Sequence, residues 1–215
     1  MYGNDDSSLS NARANTNNST IKTAIDNWYA SNMTSYTKYL STKAVYCNDR
    51  TEETSGTYNT GSIKFNYAPS ARANTNYAST YDCTEASDAF SVDNTSAKLT
   101  YPIALMTSDE IMRAGGKGDT KLTSPYAWYY LNSANASITG STWWWLLSPD
   151  RWYSSYADVF FVGGSTHPGV LYWRIVEDAV IGVRPAISLK SCTLYNAGDG
   201  TAENPYTILE TESGC

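Results

Sequence analysis

The chain has 215 residues, of which 41% are hydrophobic and only 17% are charged. This is enough apolar material for one packed domain and excludes a disordered polypeptide. The formal net charge of −6 argues against a nucleic-acid surface, which would need a basic stripe. Ser, Thr and Asn together supply 68 residues and Tyr another 18, a composition that favours strands, turns and adaptable contacts over long helices.

The sequence lacks an apolar run of 18 residues, so no membrane insertion is expected. Met1–Asp6 has neither the basic start nor the apolar stretch of a secretion signal. Two alternatives stay open at this point. The protein is intracellular or phage-borne, or the chain follows a leader that has been removed.

The first half of the chain predicts short helices separated by long loops. Residues 1–18 are polar and indicate a flexible tail. Ile21–Tyr29 has the 3–4 spacing of a helix with one apolar face, capped by Ser19 or Thr20, and a second helical stretch is expected around Tyr36–Leu40. Residues 47–98 predict a surface excursion with short strands such as Ile63–Tyr67.

The middle of the chain predicts one strand and one short helix. Leu99–Met106 has the composition of a strand. Thr107 and Ser108 then cap a helix whose acidic first turn suits its positive end, and Gly115-Gly116 ends that helix. Pro125–Leu131 is expected to be an aromatic-rich turn or short helix.

The last third predicts a small antiparallel sheet. Trp143–Leu147 is an uninterrupted apolar run that ends at Ser148-Pro149, as is typical of a strand buried on both faces. Because Asp150–Tyr156 follows directly on this proline, it is predicted to be a surface loop. Three further strand regions are expected: Ala157–Val162, Val170–Ile175 and Ile181–Leu189.

The four cysteines are widely spaced, without a C-x-x-C pair, and the single histidine has no neighbouring ligand. A structural zinc site is therefore not expected. Cys47 and Cys83 leave two states open, a disulfide, which is the preferred pairing, or free thiols. Cys215, at the last position, is interpreted as an exposed tail residue.

No catalytic pattern is present. A Ser/His/Asp triad could use only His167, which lies in a Gly/Pro loop, and the GxSxG, P-loop, GxGxxG and HExxH motifs are absent. Asp109-Glu110 and Glu177-Asp178 are sequence neighbours, whereas a glycosidase pair must face each other across a substrate. The chain is therefore interpreted as non-enzymatic, with no cofactor and no metal.

Residues 150–178 are unusually rich in aromatic side chains and arginine. Tyr, Trp and Arg are the residues most enriched at binding hot spots, and mixtures of Ser, Gly and Tyr are typical of antibody paratopes. Two interpretations are open, packing within an aromatic core or a binding surface. The spread of the cluster over a loop and two neighbouring strands favours the binding surface.

An ordered set of short motifs extends over residues 19–190. Its members are Ile25–Tyr29, Tyr46–Arg50, Cys83, Leu99–Ile103, Asp109-Glu110, Ala114–Gly116, Tyr130-Leu131, Trp144–Pro149 and Gly182–Ile187. The set resembles a family of bacterial and phage-associated domains that includes the variable proteins of diversity-generating retroelements. The resemblance implies an α+β domain with a C-type-lectin-like fold, made of small antiparallel sheets, two or more short helices and long loops. Residues 1–18 would be a tail, 19–190 the ligand-binding domain and 191–215 a C-terminal extension.

In such retroelements a reverse transcriptase copies a template repeat with errors at adenines and writes the result into the 3′ part of the target gene. The resemblance thus implies a fixed frame that carries changeable positions on a solvent-facing patch. The frame would be Trp144, Leu147, Ser148, Pro149, Ala157, Val159, Val162, Gly182, Val183, Arg184 and Pro185. The changeable, ligand-binding set would be Asp150, Arg151, Trp152, Tyr153, Ser155, Tyr156, Asp158, Phe161, Ser165, His167, Leu171, Tyr172, Trp173, Arg174, Glu177 and Asp178.

The implied ligand is a protein or glycan on a cell or host surface, and the implied location is extracellular, at a cell surface or on a virion. An alternative is a surface or pilus-type structural or adhesion subunit of fixed specificity. A third possibility is an enzyme of the formylglycine-generating kind, which would bring Cys192 and Cys215 together beside a peptide groove. The calcium-lectin motifs Glu-Pro-Asn, Gln-Pro-Asp and Trp-Asn-Asp are absent, so calcium-dependent sugar binding is not expected. Arg184 is interpreted as structural, tied to backbone carbonyls or a carboxylate.

Overall fold

Short helices and small antiparallel sheets alternate along the chain. A computed structural model describes residues 14–53, 63–121, 143–153, 156–164, 167, 169–178, 180–200 and 204–215. The helical elements are α1 (Thr20–Asn32), a 3₁₀ helix (Thr34–Tyr39), α2 (Ala68–Ala71), a π-helical turn (Arg72–Asn76) and α3 (Ser108–Arg113). The strands are β1 (Tyr46–Cys47), β2 (Ile63–Asn66), β3 (Ala89–Phe90), β4 (Ala104–Leu105), β5 (Trp144–Tyr153), β6 (Tyr156–Val162), β7 (Leu171–Ile175), β8 (Pro185–Ala186), β9 (Tyr195–Ala197) and β10 (Thr207–Ile208). This confirms the predicted α+β class.

The main sheet has four strands in the order β2-β5-β6-β7, with every neighbouring pair antiparallel. β7 therefore lies at one edge of the sheet and β2 at the other. Three two-stranded pairs surround it, β1 with β3, β4 with β8 and β9 with β10. In the main sheet, Arg151 of β5 lies opposite both Asn66 of β2 and Asp158 of β6.

Strand β5 continues well past the proline that was expected to end it. The pairing with β6 shifts register on both sides of Pro149, then resumes from Arg151 to Tyr153. A bulge of this kind accommodates a residue that has no backbone N–H to donate. The prediction of a surface loop is therefore wrong for residues 150–153 and 156, which form the end of β5 and the start of β6. Ser154 and Ser155 lie outside the described residues.

Both faces of β5 are buried, as the apolar run predicted. Trp145 and Leu147 point to one face, where they pack with Tyr46, Phe90, Leu99, Leu105, Val159, Phe161 and Ile181. Trp144 and Leu146 point to the other face, where they pack with Ala73, Ile111, Phe160, Val162 and Leu171. The sheet is thus covered on two sides, and what remains accessible is concentrated at its edges.

Residues 47–98 were expected to lie outside the core, and this expectation is only partly right. They contribute the edge strand β2, and Tyr67, Ala73 and Phe90 are buried. Arg72 helps to hold this segment on the sheet, because its guanidinium bonds to Asp109 at 2.7 Å and to Asp49 at 2.9 Å. The composition of the region hid these buried positions, since they are single residues between polar ones.

The helix termini follow their sequence signals. Ser19 caps α1, and its hydroxyl accepts a hydrogen bond from the backbone N–H of Lys22 at 3.0 Å. Thr107 caps α3 and forms a capping box with Glu110, in which each side chain accepts from the other residue's backbone N–H. The chain leaves α3 through Gly115 at a φ of 101°, a conformation that favours glycine.

Both ends of the described chain are anchored. Asn15, within the expected tail, donates to the carbonyl oxygens of Ser87 at 2.7 Å and Ser96 at 3.2 Å. At the other end, the hydroxyl of Tyr39 donates to the carbonyl oxygen of Thr211 at 2.8 Å. Among the described residues, no helix is long and apolar enough to cross a bilayer.

Two disulfides link the chain. Cys47 is bonded to Cys83, the pairing preferred from the sequence. Cys192 is bonded to Cys215, which is exposed as expected but has a structural role that the interpretation as a tail residue did not include. The backbone of the last residues folds back onto the 3₁₀ helix, where Lys38 donates to the carbonyl oxygens of Thr211 and Glu212, and this brings the two cysteines together.

Candidate binding surface on strand β7

The edge strand β7 carries the largest exposed side chains of the region predicted to bind a ligand. Trp173 is 42% exposed, and the side chain of Arg174 is 44% exposed. Tyr172 is half-buried beside them. We define the β7 surface as His167, Tyr172, Trp173, Arg174, Glu177 and Asp178. Beyond Leu171, whose backbone also bonds to Lys117 and Asp119, β7 is paired on one side only, so its remaining side chains are less covered than those of the inner strands.

On one face, the β7 surface is supported by a row of stacked aromatic rings. The ring of Tyr172 lies 6.0 Å from that of Phe161, which stacks on Trp143 at 5.1 Å. The imidazole of His167 meets Tyr172 edge-on at 5.7 Å. Arg174 lies over Trp143, with its guanidinium 5.7 Å from the ring centre, and forms an ion pair with Asp178. These contacts hold the accessible side chains in defined positions.

On the opposite face, Trp173 is held by an arginine. The guanidinium of Arg151 lies 3.3 Å from the centre of the indole ring. The Nε of Arg151 in turn donates to Asp158 Oδ2 at 2.7 Å. An exposed aromatic side chain is thereby connected to a carboxylate that is almost fully buried.

Several residues predicted to face solvent do not. Five of them are buried: Asp150, Trp152, Asp158, Phe161 and Leu171. For these five the prediction of a solvent-facing position is wrong, because they belong to paired strands whose two faces are both covered. Arg151, Tyr156, His167, Tyr172 and Asp178 are half-buried, and Trp173, Arg174 and Glu177 are exposed. Ser155 and Ser165 lie outside the described residues, and of Tyr153 only the backbone position in β5 is described.

Buried carboxylates accompany the surface. Burial, with a smaller contribution from the charges of Asp158 and Asp119, raises the pKa of Asp150 to about 7, although the hydrogen bond to Ser70 and the charge of Arg151 oppose this shift. Burial likewise raises the pKa of Asp158, although Arg151 opposes it. Within the described parts of the chain, no three Asp, Glu, His or Cys side chains are grouped so as to hold a metal ion.

Sequence reasoning missed two residues that shape this region. Trp143 belongs to the aromatic row, and a two-residue period from Trp145 would have placed it on the same face as Phe161. Asn66 of β2 lies opposite Arg151 of β5, and the two residues are 85 positions apart in the sequence. No sequence signal identifies this pairing, because the register between two such distant strands is not a local property.

Two observations concern the predicted frame. The guanidinium of Arg184 lies 3.8 Å from the ring centre of Trp144, and burial lowers its pKa. This cation–π contact supports a structural role for Arg184 through a partner that the sequence had not suggested. Val183 and Pro185, also placed in the frame, are exposed.

A separate small cavity has a volume of about 50 Å³. Its lining includes Cys47, Asp49, Arg72, Tyr81 and Asp109. Arg72 is bonded there to both Asp49 and Asp109, and the carboxylates of Asp82 and Glu110 also line the cavity. None of the residues predicted to bind a ligand lines it.

No family model, no curated protein and no solved structure matches this chain. The resemblance carried by residues 19–190 and the geometry of the β7 surface are therefore the two observations from which a function can be argued.

Proposed function

We propose that the chain is a non-enzymatic binding and display domain with a C-type-lectin-like fold, whose β7 surface contacts a protein or glycan on a cell or host surface. The observation that carries the proposal is the adjacent exposure of Trp173 and Arg174 on a strand that is otherwise packed into the sheet. Tryptophan and arginine are the residue types that most often dominate binding energy at interfaces.

The support beneath these side chains favours binding. Tyr172 and Arg174 rest on the row formed by Phe161 and Trp143, while Trp173 rests on Arg151. Side chains that are already held in place lose little conformational entropy when a partner binds, so more of the contact energy is retained as affinity.

We further propose that the exposed positions are diversified by a retroelement. Trp173, Arg174 and Glu177 are solvent-facing, and substitutions at such positions usually change stability by less than about 0.5 kcal/mol. Buried positions such as Phe161 and Leu171 then belong to the frame. An extracellular, cell-surface or virion location is part of the same proposal, and the two disulfides support it, since disulfides persist in oxidising compartments.

Population sequencing of the 3′ third of the gene tests this proposal. We expect codons 173, 174 and 177 to vary between natural copies, with the changes tracing to adenines in a nearby repeat. Codons 161 and 171 lie in the same stretch but encode buried residues, so they provide a matched control that should vary far less among folded copies. Equal, low variation at all five codons would contradict diversification and leave a surface of fixed specificity.

A second candidate, a structural or pilus-type subunit of fixed specificity, is favoured by an apolar surface elsewhere. In the extended segment 183–189, alternate residues point outward, and all four are apolar: Val183, Pro185, Ile187 and Leu189. Leu194, Tyr195, Tyr206 and Leu209, in or next to the C-terminal ribbon formed by β9 and β10, are also exposed. Exposed apolar patches often mark contacts between proteins.

Sedimentation over a range of protein concentrations separates the two candidates. The display proposal does not require self-association through the apolar surface of Leu194 and Tyr206, whereas a structural subunit associates with itself through such a surface as concentration rises. A Leu194→Ser/Tyr206→Ser variant should abolish such association, and Trp173→Ala serves as the control that should not. Association that depends on Leu194 and Tyr206 would favour the structural subunit.

The formylglycine-type alternative requires a cysteine pair beside a peptide groove. Cys192 and Cys215 do approach each other, as a disulfide between two exposed residues. Neither cysteine lines the 50 Å³ cavity described above. The pair has a direct structural use in holding the end of the chain, which supports the non-enzymatic proposal.

A further inference from the structure

Three buried side chains beside the β7 surface each leave one oxygen without a hydrogen-bond partner among the described residues. They are Asn66, Asp150 and Asp158, with exposures of 5%, 2% and 1%. Buried polar atoms in folded proteins nearly always have a partner, so a cluster of unpaired acceptors calls for an explanation.

The strand register brings these groups together. Asn66, Arg151 and Asp158 lie opposite one another on β2, β5 and β6, so their side chains rise from the same face of the sheet. The register shift after Pro149 brings Asp150 to the same side, where its Oδ2 is 3.7 Å from the Nε of Arg151. The same Nε donates to Asp158 Oδ2 at 2.7 Å. Two carboxylates therefore share one guanidinium.

The charges of this cluster do not balance when both carboxylates are ionised. The polar and charged groups that act on Asp150 are Arg151 of β5, Asp158 of β6, Ser70 of α2 and Asp119 after α3, while Asn66 of β2 lies opposite Arg151. Arg151 is the one cation in this set, and Asp119 adds a further negative charge. A buried unpaired carboxylate is costly, and taking up a proton is the usual way in which proteins remove that cost.

Arg151 connects this cluster to the outside, because the guanidinium that pairs with Asp158 also stacks on the exposed ring of Trp173 at 3.3 Å. We propose that Asp150, Arg151 and Asp158 form a proton-operated switch, in which the protonation state of Asp150 sets the position of Arg151 and hence of Trp173 on the β7 surface.

The switch has two states. With a proton on Asp150, that side chain is neutral, and Arg151 pairs with Asp158 and stacks on Trp173, as in the contacts described above. When Asp150 releases its proton to solvent, a second buried carboxylate attracts the same guanidinium, and the stack on Trp173 is weakened. The raised pKa of Asp150, about 7, places this change near neutral pH. The switch concerns the regulation of the proposed binding surface, but its operation can be measured without a ligand.

The test is a pH titration of the full-length protein followed by ¹H–¹⁵N NMR of the tryptophan indole N–H groups. A Trp173→Phe variant assigns the Trp173 resonance. We expect this resonance to shift with a midpoint near pH 7 in the wild type and to lose that step in Asp150→Asn, which cannot ionise but keeps the size of the side chain.

Two matched variants serve as controls for the titration. Glu177→Gln removes an exposed carboxylate near β7, and His167→Gln removes the chain's single imidazole. Both should keep the step.

A Trp173 resonance that does not move near neutral pH, or a step that survives Asp150→Asn, would overturn the switch. Should Asp150→Asn fail to fold, the ¹³C carboxyl resonance of Asp150 in the wild type decides, since a midpoint near 4 would also overturn it. Loss of the switch would leave the proposed binding function untouched, because that function depends on exposure and not on protonation.

Discussion

Replacing Cys47 and Cys83 by serine is expected to lower the free energy of unfolding by about 4 kcal/mol, the chain-entropy value for a bond that closes a loop of this length. The two cysteines are 36 positions apart. The loop between them contains β2, an edge strand of the main sheet, and the segment formed by α2 and the π-helical turn, which packs on one face of that sheet through Ala73. Without the bond, the unfolded chain gains freedom and this covering segment is held by noncovalent contacts alone. Urea unfolding under non-reducing conditions measures the difference.

The second disulfide is the matched control. Cys192–Cys215 closes a loop of 23 positions and would be worth about 3.5 kcal/mol by the same reasoning. Its loop, however, is the C-terminal ribbon, whose residues are mostly exposed. We therefore expect Cys192→Ser/Cys215→Ser to increase hydrogen exchange locally in β9 and β10, with a smaller change in global unfolding. If the Cys47/Cys83 variant unfolded at the same urea concentration as the wild type, the assigned role of that bond would be wrong.

Local sequence signals predicted much of the fold. Three features are encoded within a few neighbouring residues. They are the helix cap at Ser19, the capping box of Thr107 with Glu110, and the buried apolar run from Trp143 to Leu147. Such features depend on neighbours in the chain, and a single sequence contains them in full. The end of β5 is different, because a proline normally interrupts strand pairing and only the bulge formed with β6 allows the strand to continue through Pro149.

The candidate site was harder to predict, for a related reason. Aromatic and charged residues in 150–178 indicated a surface, and Trp173 and Arg174 are indeed exposed. Asp158 and Leu171 lie in the same stretch but are buried, because the pairing of β6 with β7 and the segments covering the sheet decide which positions remain accessible. The charge of Asp158 wrongly suggested a solvent-facing position. Its ion pair with Arg151 depends on the register between β5 and β6 and not on any local sequence pattern.

Leu171→Ala is expected to destabilise the protein by about 2–5 kcal/mol, whereas Trp173→Ala should cost about 1 kcal/mol or less. The two residues are two positions apart on β7, so their side chains leave the strand on the same face. Leu171 is 1% exposed and packs with Val162, Phe160 and Trp144, so its truncation leaves a cavity in the core. Trp173 is 42% exposed and loses mainly its stack on Arg151. Chemical unfolding of both variants measures the contrast.

This pair tests the division between frame and surface, since the two residues share a strand and a face but differ strongly in burial. The backbone of Leu171 is also tied on its outer side, where its N–H donates to Lys117 and its carbonyl accepts from Asp119, so this end of β7 is paired on both edges. Comparable losses from the two variants would mean that Trp173 is a structural residue and would remove the basis for a display surface on β7. A large loss at Leu171 with a near-neutral change at Trp173 would mean that evolution can replace the exposed residue freely while the strand that presents it stays in place.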